Sequence, residues 1–313
     1  MSNSSALLRG TLLTLLAASL WGVSGSFAQF LFEQRGIDPE WLVTARLLSA
    51  GLILSAIALW EAPAEVKRIF RDPRDFTRLF FFALFGMLAV QYTYFAAIHH
   101  SNAATATILQ YLGPVFIAIY YSGIERRLPT RLEVLAIALA LGGTFLLVTH
   151  GDPSQLQISQ LGLFWGIASA VALATYSIQP LTLLRTYKAS VVIGPAMLIG
   201  GALIAPFSGL TRPPGTWDAG TAVSFAFIVL FGTLIAFYAY LTAVRMIGAT
   251  KASVLACAEP LSAVITGVLW LGTPFALTDW IGTALILLTI AVLTAGDRKE
   301  KSDVPRPRDP ASL

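Results

Sequence analysis

Ten runs of about 17–24 predominantly apolar residues divide the chain: 10–32, 41–60, 79–98, 103–121, 132–149, 161–184, 191–207, 221–244, 249–271 and 279–295. One helix needs roughly 20 apolar residues to cross about 30 Å of hydrocarbon. Each run therefore reads as one membrane-spanning helix, and together they leave only short loops. The runs are continuous rather than alternating, which excludes a β-barrel. Only 12% of the 313 residues are charged, against about 25% in an average soluble domain. A chain so poor in charge cannot coat a water-soluble globule, and its high hydrophobicity excludes disorder. The expected fold is an all-α membrane protein of ten transmembrane helices.

The first run is preceded by a single basic residue, Arg9, and is longer than a signal-peptide core, so it reads as a retained helix. The lone cysteine, Cys257, excludes an intrachain disulfide and a cysteine-rich metal site. Thr130 and Glu133 form a capping box opening the fifth helix. Residues 296–313 are charged and Pro-rich and are expected to form a disordered cytoplasmic tail.

The charges report orientation. With ten spans, about 18 of the 21 Lys and Arg fall on the side that holds both termini, among them Arg9, Lys67, Arg71, Arg127, Arg185, Arg245 and Lys251. Only Arg35 and Arg212 fall on the other side, and Arg46 lies within a span. By the positive-inside rule both termini are cytoplasmic. A net charge of +4 distributed in this way signals orientation and not nucleic-acid binding.

The chain also repeats itself. Shifted by 146 positions, Leu84–Leu147 aligns without a gap on Leu230–Leu293, with roughly 16 of about 64 positions identical. Leu84, Phe85 and Gly86 meet Leu230, Phe231 and Gly232. Tyr92 and Tyr94 meet Tyr238 and Tyr240, and Pro114 meets Pro260. Two units follow, 10–149 with helices 1–5 and 161–295 with helices 6–10. An odd number of helices per unit inverts the second against the first, a plan recurrent among secondary transporters.

The segments LLAASLWGVSGSFAQ, LVTARLLSAG, ATILQYLGPVF with IERRLPTRLE, and LACAEPLSAV resemble the EamA family of the drug/metabolite transporter superfamily. The resemblance covers about 10–295. It implies two five-helix repeats, cytoplasmic termini in an inner or plasma membrane, and a cavity lined mainly by helices 1, 3, 4, 6, 8 and 9. It also implies export of amino acids, related metabolites or small drugs. One departure is that Glu125 ends the fourth helix while Leu271 stands at the matching place in the second half.

Within the spans, ionisable groups are few. Glu259 is the one acid deep in an apolar run, where a charge costs at least about 2.5–3.5 kcal/mol. It must be protonated, paired or hydrated, and it is the candidate for binding a substrate amine or carrying a coupling proton. Arg46 is read as structural, snorkelling toward the outer face from a helix not expected to line the cavity. Pro114 and Pro260, at corresponding places, are candidate helix breaks that would free the carbonyls of Gln110 and Ala256 toward a wet cavity. Spacing of three or four places Trp21 with Ser24, Gln91 with Tyr94, Thr107 with Gln110 and Tyr111, and Tyr176 with Gln179 on common helix faces. With Tyr240, these supply the aromatic and amide walls expected of a small-molecule site. His99 and His100 have adjacent positions and no companions, and are not read as a metal site. No HExxH, GxSxG or Walker A motif is present, so neither an enzyme, a cofactor nor ATP-driven transport is expected. The expected partners are a small-molecule substrate and the lipid bilayer. Export of amino acids or related compounds by alternating access stands first, with a multidrug or cationic-compound exporter as the alternative, then a channel or an intramembrane enzyme.

Overall fold

The computed structural model describes residues 3–126, 128, 130–149, 158–247, 252, 255–256 and 258–303, and among these only helices and their connections occur. Seven helical stretches are long and apolar enough to cross a membrane: Leu7–Arg35, Pro39–Glu61, Pro73–His100, Ala103–Ile124, Gln160–Thr186, Ala189–Phe207 and Ala219–Val244. Three shorter apolar helices, Val134–Gly143, Ala258–Leu271 and Leu277–Thr289, coincide with the fifth, ninth and tenth apolar runs.

In chain order the helices are α1 (Asn3–Arg35), α2 (Pro39–Glu61), α3 (Pro63–Arg71), α4 (Pro73–Phe81), α5 (Ala89–His100), α6 (Ala103–Gln110), α7 (Gly113–Glu125) and α8 (Arg131–Thr149). They continue as α9 (Gln160–Ile178), α10 (Leu181–Thr186), α11 (Ala189–Ile204), α12 (Ala219–Val229), α13 (Ala236–Ile247), α14 (Ala258–Leu271) and α15 (Leu277–Asp303). Two π-helical turns join α4 to α5 (Phe82–Leu88) and α12 to α13 (Leu230–Ile235). Both contain the repeated Leu-Phe-Gly triplet.

Helix starts follow capping chemistry. Asp72 accepts from Arg74 N–H at 2.9 Å, Asn102 from Thr105 N–H at 2.8 Å, Ser159 from Gly162 N–H at 2.9 Å and Asp218 from Thr221 N–H at 2.8 Å. Pro39, Pro63 and Pro73 occupy first-turn positions, where a missing N–H costs nothing. The short helix α3 was not anticipated; Pro63 and the Asp72–Pro73 step were its available signals.

In lipid, helices gain no hydrophobic free energy from each other, so close packing of small residues joins them. α2 pairs with α11, α8 with α15, α5 with α9, and α1 with both α13 and α14. A Cβ on Gly51 of α2 would come within 2.9 Å of Leu198 N on α11, and one on Gly143 of α8 within 2.7 Å of Gly282 O on α15. On the outside, Leu52, Trp60, Leu141, Val223 and Leu269 are exposed, as a lipid-facing surface requires.

Two expectations change. The tail is helical as far as Asp303: Arg298, Lys299 and Glu300 are good helix formers, and extending a helix needs no new nucleus. Residues 304–313 lie outside the described residues, as do Arg127, Lys251, Cys257 and the side chains of Pro114, Glu125, Glu133 and Arg245. The fourth run is two helices, α6 and α7, separated by a turn at Tyr111–Leu112. Pro114 therefore sits in the first turn of α7 and Pro260 in the first turn of α14, not inside unbroken helices. A first-turn proline gives up no intrahelical bond.

Candidate functional site

A cavity lies where α1, α2, α5, α6, α9, the second π turn, α13 and α14 meet, with about 80 Å³ of room inside. One buried water needs on the order of 10–15 Å³ on this measure, so the space holds several. Seven of the nine residues singled out from the sequence line it: Trp21, Ser24, Gln91, Tyr94, Gln110, Tyr176 and Glu259.

α1 supplies Trp21 and Ser24 one turn apart. It approaches α14 so closely that a Cβ on Gly22 would overlap the carbonyl oxygen of Glu259 and lie 2.7 Å from Ala263 N. α5 supplies Gln91 and Tyr94 from one face. The Tyr94 hydroxyl is 2.7 Å from Thr107 Oγ1, which donates to Ala103 O at 2.7 Å, so Tyr94 is the donor to Thr107. Gln110, at the end of α6, donates from Nε2 to Ser169 Oγ at 2.6 Å. The broken helix thus turns an amide side chain into the cavity at the point where its own helix ends.

Glu259 is 8% exposed and stands in the first turn of α14, where the helix dipole favours an anion. The Tyr111 hydroxyl lies 3.2 Å from its Oε2 and donates to the carbonyl of Ala256. That carbonyl also accepts Glu259 N–H at 2.9 Å. Tyr111 therefore stands behind the wall as a brace between the two helix breaks. The Ala256 carbonyl, expected to face a wet cavity, is instead satisfied by protein.

Arg46 does not snorkel outward as expected: it lines the cavity, and α2 joins the cavity wall. Its guanidinium carbon lies 4.6 Å over the Phe95 ring, and the residue is 4% exposed. Reach alone did not decide its direction: the ring offers a cation–π partner inside the bundle. The unmatched aromatic at position 95 was the signal that could have found it. No ion pair links Arg46 to Glu259.

Tyr240 is the other exception. It lies 5.1 Å from Trp21, ring to ring, and lines a second cavity with Phe82, Leu184 and Val244. Tyr176 belongs to both cavities. It stacks on Phe82 at 5.7 Å and meets Phe237 edge-on at 6.0 Å, forming an aromatic partition. Toward the Arg35 end, a polar layer follows the main cavity. Gln29 accepts Ala103 N–H at 2.9 Å and donates to Glu33 at 3.0 Å and Thr273 at 3.4 Å.

Several polar atoms in the main cavity have no partner: Trp21 Nε1, Arg46 Nε, Gln91 Oε1 and Tyr176 OH. An unpaired buried donor or acceptor costs about 1–3 kcal/mol. They gather around one cavity, the convergence of polar groups expected of a small-molecule site. Arg46 on α2 and Glu259 on α14 add a base and an acid to that space.

The sequence model of the EamA-like transporter family matches residues 8–149 and again 160–295. The chain is 40% identical over 291 residues to the uncharacterized inner membrane transporter YicL of Salmonella typhimurium, covering 93% of this chain and 97% of that protein. It is 25% identical over 299 residues to the uncharacterized transporter YwfM of Bacillus subtilis, covering 93% and 96%. A solved crystal structure, 22% identical, superposes with a TM-score of 0.64 over 96% of this chain and 100% of the other, which shows a shared fold.

Proposed function

We infer that this chain, which belongs to the EamA-like transporter family, exports a small zwitterionic metabolite such as an amino acid by alternating access. It is a multi-pass membrane transporter. The finer reading rests on one observation: Arg46 and Glu259 place a base and an acid in the same cavity without an ion pair between them. A substrate carboxylate fits Arg46, and its ammonium fits Glu259, which otherwise holds a proton. Gln91, Gln110 and Ser24 supply neutral hydrogen bonds, and Trp21, Tyr94 and Tyr176 supply aromatic walls. A purely cationic compound fits less well, since it would meet Arg46 without a counter-charge.

The proposed architecture is ten spans in two inverted five-helix units, 10–149 and 161–295, with both termini cytoplasmic. Exchange of the halves carries the α2–α11 and α8–α15 contacts onto themselves and the α5–α9 contact onto α1–α13. The π turns also correspond under the same exchange. Both features support a pseudo-twofold relation. In such a plan the Gln29 layer closes one end and the Tyr176 partition the other, and they open in turn.

Proteoliposomes test the reading. Preloaded with unlabelled amino acids, they should exchange a labelled zwitterion saturably. The corresponding decarboxylated amine and deaminated acid should exchange at least tenfold more slowly. Equal exchange of the amine would overturn the zwitterion assignment, and unsaturable flux would make the protein a channel.

A further inference from the structure

Outside the cavity, charge is concentrated at one elbow. α3 follows one long apolar helix and meets, at Asp72–Pro73, α4, which opens the next, and this places the elbow at a membrane boundary. The elbow's acids turn into the protein. Glu65 accepts Lys188 N–H at 2.8 Å, Asp75 accepts the Tyr187 hydroxyl at 2.7 Å, and Asp72 caps α4. Its bases turn outward. Lys67, Arg71 and Arg74 are exposed and join no ion pair among the described residues. Arg78 pairs with Asp75 at 3.2 Å, and Arg68 lies 5.8 Å over the Tyr187 ring.

Aromatic side chains are exposed here as well. Phe70 and Phe76 are 48% and 38% exposed with ring centroids 5.8 Å apart, while Ile69 and Leu79 are fully buried. Farther along the same membrane-length helix, Phe81 and Phe85 stack at 5.9 Å and are about half exposed, and Phe81 follows Arg74 by seven residues, two turns on.

We propose that the elbow holds an anionic glycerophospholipid, its phosphate on Lys67, Arg71 and Arg74 and its acyl chains along Phe70, Phe76, Phe81 and Phe85. Bases at a helix surface next to exposed rings match the boundary between headgroups and hydrocarbon. Guanidinium groups suit phosphate oxygens, which they bind in pairs. The exposed Phe81 and Phe85, on the same span as Arg74, favour a lipid over a soluble acidic protein, which would leave them uncovered. The inference needs the chain in a bilayer but not the zwitterion reading.

The full-length protein, equilibrated in bilayers of equal phosphatidylglycerol and phosphatidylcholine, can be released into mild detergent and its retained lipids counted by native mass spectrometry. The expected result is several-fold enrichment of phosphatidylglycerol. The Lys67→Gln/Arg71→Gln/Arg74→Gln variant should lose at least threefold of it while melting at the same temperature, and Arg212→Gln should keep it. Excess inorganic phosphate should leave the lipid bound. Equal retention of both lipids, an unchanged triple variant, or displacement by free phosphate would overturn the proposal.

Discussion

At the scale of single residues, the candidate site gathers where the apolar pattern is broken. Glu259→Gln keeps the shape of the carboxyl but not its charge. The variant is expected to insert and fold, and to lose the pH dependence of exchange measured across a range of external pH; an unchanged profile would remove Glu259 from coupling. On the proposed reading, Arg46→Gln removes a charge-assisted contact to the substrate carboxylate of about 1.5–3 kcal/mol. Its substrate affinity should fall roughly tenfold to a hundredfold in an equilibrium binding assay. Tyr111→Phe leaves the Ala256 carbonyl without its side-chain donor and should cost about 1–3 kcal/mol of stability. Outside the spans, Asp218 caps α12 and pairs with Arg35 at 3.2 Å. The Thr221 N–H, followed by the Thr221 hydroxyl and Arg35, holds its carboxyl below the usual range. Its stabilising effect is present at neutral pH and is lost as pH falls through that lowered value. Asp218→Asn should remove this part of the acid sensitivity in thermal melts. Glu259 stood out in the sequence because one acid in an apolar run is conspicuous. Arg46 was misplaced because spacing gives a residue's depth but not its direction, and Tyr111 because its acceptor lies 145 positions away.

At the scale of elements, seven of the ten expected spans are matched by membrane-length helices among the described residues, legible because a run near 20 apolar residues has one stable form in lipid. The helix breaks were legible from Pro114 and Pro260, but their consequence was not. Proline marks where a new helix starts as readily as where an old one kinks, and only the partners of the freed groups decide between them. The π turns carry the repeated Leu-Phe-Gly triplet, yet nothing in its composition announces a wider helix. Their glycines have a visible purpose: a Cβ on Gly86 would come within 2.6 Å of Phe82, and one on Gly232 would overlap Ser24. Gly22 does the same between α1 and α14. Gly22→Ala should force these helices apart and cost about 1–3 kcal/mol, read as a lowered melting temperature in detergent. A variant melting with the wild type would show that the contact relaxes freely.

At the scale of the whole molecule, the cavity of unpartnered polar atoms lies between the Gln29 layer and the Tyr176 partition, the two proposed gates. The inverted plan predicts that cysteines introduced at Arg71 and Arg126 react from the same side of the membrane. The most direct test places a cysteine in the cavity itself, at Ser24, in a chain whose natural Cys257 has been changed to Ser. A membrane-impermeant maleimide is then applied from either side of sealed vesicles. Alternating access predicts labelling from both faces, slowed on each by substrate. Labelling from one face alone, however long the exposure, would contradict it.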